Sequence, residues 1–137
     1  MFASIRVMPG LPVIKSLCIG LLLARNVVAL EADGPQTIPM QLGDYHFTPH
    51  ELAVRAGRSV QLELTNTDGI HPHTFTLKDP AGELDIDINV LPGATRAVEL
   101  TPKVPGSYTY YCRKKLPFMK SHRERGMEGT LTVLPAD

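Results

Sequence analysis

Short segments in which apolar and polar residues alternate run through the sequence, and they constrain the fold more than any other feature. Residues 59–65 read SVQLELT and residues 85–90 read DIDINV, so an apolar side chain recurs at every second position. This period of two places the apolar side chains on one face of a β-strand. Turn-forming clusters at residues 66–69 and 79–82 separate such segments, and no segment has a long helical period. The pattern therefore predicts an all-β fold, an antiparallel β-sandwich of seven to eight strands.

The first thirty residues differ in character from the rest. Two basic residues precede an apolar stretch at residues 16–24, and small-residue cleavage candidates follow at Ala29 and Ala32. These are the features of a secretory signal peptide. We therefore predict that residues 1–32 are a signal peptide, that residues 33–137 form the folded domain, and that the protein is exported to the periplasm. The alternative is an uncleaved membrane anchor, for which the apolar stretch is short.

The charge balance and the cysteine content narrow the choice of partner. The whole chain carries 14 basic and 14 acidic residues, so its net charge indicates neither a nucleic acid nor a membrane surface. Removal of residues 1–32 leaves 11 basic residues, 13 acidic residues and a single cysteine, Cys112. A lone cysteine cannot form an internal disulfide, and a free thiol in an oxidising compartment is a liability. A metal ion is the simplest occupant of that thiol.

Four residues form a candidate metal site. His73 begins one predicted strand and Cys112 ends another, while His122 and Met127 follow Cys112 within fifteen residues. Two imidazole nitrogens, a thiolate and a weak axial thioether are the ligands of blue-copper electron-transfer sites. The sequence therefore predicts one copper ion, cycling between Cu(I) and Cu(II), bound by these four residues.

The chain resembles the cupredoxins, the plastocyanin- and azurin-like copper proteins. The similarity covers about residues 37–134, and its matching segments are residues 45–49, 52–57, 64–68, 73–75, 105–112 and 122–133. The resemblance implies a Greek-key sandwich with copper near one end. It also implies that the backbone amide of Thr74 donates a hydrogen bond to the Cys112 sulfur.

The loop after Cys112 departs from the usual cupredoxin pattern. Nine residues separate Cys112 from His122, where most members of the family have about two to four, and four more separate His122 from Met127. This long loop resembles a subgroup associated with bacterial ferrous-iron transport. That resemblance implies an iron permease complex as a partner and a role in oxidising Fe(II).

Other histidines compete for the ligand positions. His71 lies two residues before His73, but His73 begins the alternating strand and matches the cupredoxin position. His46 and His50 fall in an early turn and are expected at the surface. His122 is the only histidine after Cys112.

Alternative roles are also open for the remaining ligands. Cys112 could be a buried thiol without a metal, and Met127 could be core packing. Glu124 and Glu128 are alternative ligands, and their carboxylate oxygens are chemically harder donors than a thioether sulfur. Zinc could occupy a Cys-His-His site, although a thioether ligand favours copper.

A basic run surrounds the predicted ligands and encloses the apolar residues 116–119. Its only acid is Glu124, and its six basic residues are Arg113, Lys114, Lys115, Lys120, Arg123 and Arg125. A charged rim around an apolar patch is typical of a docking face. We therefore predict a redox partner protein with acidic groups; the alternative is a solvated charged loop.

The predicted function is that of an electron carrier rather than an enzyme: copper passes single electrons between partner proteins. One alternative is copper-dependent oxidation of Fe(II) during iron uptake, with Asp85 and Asp87, or Glu124 and Glu128, helping to hold the iron. A copper storage or delivery protein is a further alternative.

Overall fold

Nine short β-strands make up most of residues 34–137, the part of the chain that the computed structural model describes. Their bounds are β1 Gln36–Gly43, β2 His46–Thr48, β3 Glu51–Arg55, β4 Val60–Asn66, β5 His73–Asp79, β6 Leu84–Val90, β7 Thr95–Leu100, β8 Gly106–Tyr111 and β9 Glu128–Leu134. Two 3-10 helices of three residues, Pro80–Gly82 and Arg123–Arg125, complete the regular structure of this part. No helix within it has the length and apolar character needed to cross a membrane. The predicted signal peptide, residues 1–32, lies outside the described residues.

The strands form two sheets, which confirms the predicted all-β sandwich. One sheet has the order β2-β1-β4-β7 and the other the order β3-β9-β8-β5-β6. Both sheets are mixed rather than purely antiparallel, because β1 runs parallel to β4 and β3 runs parallel to β9. Alternation identifies the face that a strand buries, but it carries no information on the direction of the neighbouring strand.

The strand count is nine, above the seven to eight predicted, because the early part of the chain changes sheets. β2 pairs with β1 in the first sheet, and β3 pairs with β9 in the second. Only Pro49 and His50 separate these two short strands. The chain therefore passes from the first sheet to the second at these two residues and contributes one strand to each sheet.

The alternating side chains fill the space between the sheets as predicted. Val60, Leu62 and Leu64 of β4 are each at most 2% exposed, and burying a side chain of this size contributes about 1.5–3 kcal/mol. On the inner face of the second sheet, Tyr110 of β8 stacks on Phe75 of the neighbouring strand β5, with ring centroids 5.0 Å apart. This packed layer forms a rigid support for the strand ends that carry the candidate ligands.

Candidate metal centre

Two neighbouring strands bring the first two candidate ligands together. His73 is the first residue of β5, and Cys112 directly follows Tyr111, the last residue of β8. The two strands are antiparallel, with Thr76 opposite Tyr111. The beginning of β5 therefore lies beside the end of β8, so that His73 and Cys112 meet at one end of the sandwich.

The long loop after Cys112 folds back on itself and returns His122 to the same place. The His122 amide donates to the Lys114 carbonyl at 2.8 Å, and the Met127 amide donates to the His122 carbonyl at 3.0 Å. The Cys112 amide then donates to the Met127 carbonyl at 3.1 Å. The residues between Lys114 and His122 thus form a loop that is closed by the hydrogen bond between those two residues. The long insertion therefore still leaves His122 and Met127 next to Cys112.

Three side chains converge in the interior at this point. The Cys112 Sγ lies 3.5 Å from the His122 Nδ1 and 3.9 Å from the His73 Nδ1, and the two Nδ1 atoms lie 3.2 Å apart. All three residues are buried. Within residues 34–137 they are the one group of three or more histidine, cysteine or acidic residues whose potential ligand atoms lie close enough to share a metal ion.

Each of these groups has a perturbed pKa. Burial raises the pKa of Cys112, but hydrogen bonds from His73 and the Thr74 amide outweigh burial and bring the pKa below its ordinary value. Burial lowers the pKa of His73, but hydrogen bonds to Cys112 and Asp68 more than compensate and raise it. The pKa of His122 is lowered by burial and by the neighbouring positive charges, His73 first. The pKa shifts of Cys112 and His122 act in the same direction: they favour the thiolate of Cys112 and the neutral imidazole of His122 relative to the same groups in water.

The expected hydrogen bond to the cysteine sulfur is present. The backbone amide of Thr74 donates to the Cys112 Sγ at 3.3 Å. Such a bond stabilises negative charge on sulfur and fixes its direction.

The fourth candidate, Met127, is adjacent and fully enclosed. Its side chain is 0% exposed, and its backbone bonds to both Cys112 and His122. The four predicted residues therefore lie close together in a single buried cluster.

The competing histidines lie outside the three-atom group. His71 is partly exposed, with its ring centroid 6.4 Å from that of His122. His46 and His50 are exposed, as predicted.

The four acidic residues considered for iron are engaged separately. Asp87 pairs with Arg113, Asp85 approaches Lys78, and Glu128 pairs with Arg123. Glu124 accepts a hydrogen bond from the backbone amide of Ser121. They do not gather into a second metal-binding group within the described part of the chain.

Two further residues at the site were not predicted from the sequence. The Asp68 carboxylate lies 2.5 Å from the His73 Nε2, and the Tyr45 ring meets the His122 ring edge-on with centroids 5.0 Å apart. Asp68 belongs to the turn-forming cluster at residues 66–69, and Tyr45 belongs to the cupredoxin-like segment at residues 45–49, so neither stood out as a site residue. The position of Asp68 five residues before a candidate ligand was the one available signal.

The atoms of the cluster fit copper by their chemistry. Two neutral imidazole nitrogens suit Cu(II), whereas thiolate and thioether sulfur suit Cu(I). No buried side-chain nitrogen or oxygen in residues 34–137 lacks a hydrogen-bond partner. The donors face one another rather than solvent, as a preformed metal site requires.

The basic loop divides into paired and unpaired charges. Arg113 pairs with Asp87, Arg123 pairs with Glu128, and the Arg125 guanidinium lies over the Tyr45 ring at 4.8 Å. The three lysines of this loop make no ion pair within residues 34–137. They are Lys114, Lys115 and Lys120. Beside them the apolar side chains of Leu116, Phe118 and Met119 are exposed.

The chain is similar in sequence to known proteins. Over 97 residues the chain is 34% identical to chloroplastic plastocyanin from Physcomitrium patens, a match that covers 66% of this chain and 52% of the moss protein. Over 104 residues it is 27% identical to plastocyanin from Dryopteris crassirhizoma, covering 68% of this chain and 92% of the fern protein. The chain thus spans about half the length of the moss relative.

A solved structure supports the fold independently. The sodium-dithionite-reduced auracyanin of the photosynthetic bacterium Roseiflexus castenholzii superimposes with a TM-score of 0.60 at 21% identity, covering 74% of this chain and all of auracyanin. Residues 16–133 also match the family model described as the cupredoxin-like domain. From its buried cluster, its sandwich and this match, the chain belongs to the cupredoxin-like family.

Proposed function

We propose that this protein carries single electrons through one copper ion held by His73, Cys112, His122 and Met127. The observation that carries the proposal is the convergence of the Cys112 Sγ and the two Nδ1 atoms within 4.8 Å of one another. Copper bound there would supply a one-electron Cu(I)/Cu(II) couple. Ligands of mixed softness suit both oxidation states, so little rearrangement is needed between them.

The surrounding residues prepare the site for this role. All four proposed ligands are at most 6% exposed, which shields the centre from bulk solvent. The Thr74 amide holds the cysteine sulfur in place, and the loop bonds between Lys114, His122 and Met127 hold the other side. Because these hydrogen bonds form without an ion, they support a preorganised site rather than one assembled by the metal.

The test of copper binding is spectroscopic. Addition of Cu(II) to the purified protein should give one equivalent of bound copper and an intense thiolate-to-copper charge-transfer band. The matched variant Cys112→Ser should remain folded and lose the band. The proposal fails if the wild-type protein gives no such band, or if Zn²⁺ displaces Cu(II) at equal concentration, since copper outcompetes zinc at such a site.

The role of Met127 needs its own test because its backbone position does not fix the role of its sulfur. Met127→Leu keeps the apolar volume and removes the thioether. As an axial ligand tunes the redox potential, we expect the charge-transfer band to persist with a changed potential and altered EPR parameters. An unchanged reduction potential would show that Met127 packs in the hydrophobic core and does not bind the copper.

We further propose that the partner is a redox protein with an acidic face. Three lysines make no ion pair with any other residue that the structure describes: Lys114, Lys115 and Lys120. They border the exposed side chains of Leu116, Phe118 and Met119, next to the proposed ligand His122. Phe118 is fully exposed in a left-handed backbone conformation, φ +60°. A free basic rim around exposed apolar side chains suits an acidic protein surface.

Electron-transfer rates test this surface directly. The probe is an acidic c-type cytochrome, compared with a basic one at rising ionic strength. Lys115→Glu/Lys120→Glu should slow transfer to the acidic cytochrome and remove its salt dependence. The charge-matched control Arg96→Glu/Lys103→Glu changes two exposed residues elsewhere. Equal effects of the two double variants would reject this docking face.

Carrier and iron-oxidising roles are separated by kinetics. Stopped-flow mixing of the oxidised protein with Fe(II) should give no turnover with oxygen, whereas a reduced protein donor should bleach the band. Catalytic turnover with Fe(II) would replace the carrier proposal with the iron-oxidation alternative.

Export remains part of the proposal and rests on the sequence of residues 1–32. Intact-mass measurement of the protein from a periplasmic extract should give a chain that begins near residue 33. Recovery of the full-length chain in the membrane fraction would instead support an uncleaved anchor.

A further inference from the structure

The two ring nitrogens of His73 face different groups: one faces the candidate metal site, and the other faces a carboxylate. Its Nδ1 faces the cluster, 3.2 Å from the His122 Nδ1 and 3.9 Å from the Cys112 Sγ. Its Nε2 lies 2.5 Å from the Asp68 Oδ2. An ionised carboxylate only accepts hydrogen bonds, so the ring proton must sit on Nε2. When the ring is neutral, Nδ1 then carries the lone pair, which points into the site.

The Asp68 side chain is itself held in place. Its other oxygen, Oδ1, accepts a hydrogen bond from the Asp44 amide at 3.2 Å. The Asp68 amide donates to the side chain of the buried Asn66 at 2.9 Å. The two carboxylate oxygens therefore have separate partners, and the side chain cannot turn away from His73 without losing both.

The turn that supplies the Asp44 amide has an unusual backbone. Asp44 and Tyr45 both have positive φ, 49° and 59°, at the two central positions of the β1–β2 hairpin, where Gly43 lies opposite His46. Such turns favour glycine, and left-handed residues cost about 1–2 kcal/mol each. Here the turn presents an amide to Asp68 and the Tyr45 ring to His122.

Among residues 34–137, no arginine or lysine pairs with Asp68. Its one ion-pair contact within residues 34–137 is with His73, and its side chain is 22% exposed against 0% for the histidine. The carboxylate charge therefore acts mainly on the buried imidazole. When a metal ligand donates its second N–H to a carboxylate, the hydrogen bond fixes the tautomer and makes the ligand more basic.

We infer that Asp68 is a positioning residue for the metal site: it selects the tautomer of His73 and, through its charge, favours Cu(II) over Cu(I). The inference rests on the proposed ligation of copper by His73. A neutral acceptor at the same place would give the same ring orientation and a higher reduction potential, because a nearby negative charge stabilises the more positive ion.

The first test measures the reduction potential of the copper-loaded protein. Asp68→Asn keeps the size and one acceptor oxygen but removes the charge. We expect the ratio of Cu(II) to Cu(I) affinity to fall about tenfold, which is about 59 mV for one electron. The matched control Asp44→Asn removes an exposed charge from the neighbouring turn. Equal shifts in both variants would overturn the inference, since the effect would then be a general field rather than this contact.

The second test needs no metal. In the copper-free protein, ¹⁵N NMR two units above the measured pKa of His73 should show an Nε2–H tautomer in the wild type. Asp68→Leu, which has a similar branched shape, should give a mixed or reversed tautomer and bind Cu(II) about 10- to 100-fold more weakly. An Nδ1–H tautomer in the wild type would overturn the inference.

The two proposals fail separately. Absence of the charge-transfer band from the wild type would reject copper ligation. The tautomer of His73 in the copper-free protein would still show whether Asp68 positions the ring. A normal band with no response of tautomer or potential to Asp68→Asn and Asp68→Leu would reject the inference alone.

Discussion

The backbone amide and the hydroxyl of Thr74 both face the sulfur of Cys112, at 3.3 and 3.7 Å. The same hydroxyl accepts a hydrogen bond from the Arg113 amide at 2.9 Å and lies 3.1 Å from the Thr76 hydroxyl. One buried side chain therefore joins the candidate ligand, the start of the long loop and the interior of β5.

Thr74→Val tests this junction. Valine keeps the branched shape but leaves the Arg113 amide without its acceptor, so we expect a loss of about 1–3 kcal/mol in the free energy of unfolding. Urea denaturation of the copper-free protein measures it. The control Thr132→Val lies on β9. Its hydroxyl makes no hydrogen bond to another residue within 34–137, so the change should have little effect. Equal stability of the Thr74 variant and the wild type would show that the hydrogen bond from the Arg113 amide to the Thr74 hydroxyl does not stabilise the fold.

Much of the fold could be predicted because each strand carries its burial pattern locally. Val60, Leu62 and Leu64 are buried, as their alternation required. His73 and Cys112 could be identified because they stand at strand ends and carry the donor atoms of a copper site. In each case the signal lies within a few residues of the position.

What could not be predicted depends on contacts between distant parts of the chain. The parallel pairing of β1 with β4 and of β3 with β9 leaves no mark on either strand alone. The Asp44 amide reaches Asp68 across 24 positions of the sequence. An aspartate in a turn cluster satisfies local turn chemistry equally well with or without a histidine partner, so its role appears only in three dimensions.

Asn66 holds the loop that carries Asp68. Its Nδ2 donates to the His71 carbonyl at 2.9 Å and to the Val90 carbonyl at 3.0 Å, while its Oδ1 accepts from the Asp68 amide. Asn66→Asp would place a carboxylate against two carbonyls in a residue that is 1% exposed. We expect a loss of about 3 kcal/mol or more at neutral pH.

Denaturant unfolding measures this loss, and Asn89→Asp on the exposed face of β6 is the matched control. The same chemical change at Asn89 should be nearly neutral, because that residue is solvent-exposed. Similar losses at the two positions would refute a specific role for Asn66.

Gly129 allows β9 to approach the core closely. A Cβ built there would overlap the His50 carbonyl oxygen and the Tyr110 ring. We expect Gly129→Ala to destabilise the protein by about 1–3 kcal/mol through overpacking, measured as a lower thermal midpoint. In Gly69→Ala the added carbon meets no atom within 4 Å, and its midpoint should stay close to that of the wild type.

The ion pair of Asp87 with Arg113 gives stability a specific dependence on pH. The Arg113 Nε lies 3.0 and 2.9 Å from the two carboxylate oxygens. Hydrogen bonding to Arg113, opposed by partial burial and aided by Thr76, lowers the pKa of Asp87 from its ordinary 3.8. Because the folded-state pKa is depressed, the stabilisation is fully present above pH 3.8 and is lost as the pH falls through the lower folded-state value.

Asp87→Asn removes this effect and leaves a similar shape. The pair is partly exposed, with side chains 27% and 51% accessible, so we expect the variant to lose up to about 1 kcal/mol at pH 7. The difference from the wild type should shrink as the pH falls below 3.8, since protonation of Asp87 then breaks the pair in the wild type as well. Unfolding free energies between pH 2 and 7 measure this convergence. Asp85→Asn, on the same face of β6 and 3.6 Å from Lys78, should lose less at pH 7. A constant difference between Asp87→Asn and the wild type at every pH would mean that shape or packing, rather than the Arg113 pair, makes Asp87 stabilising.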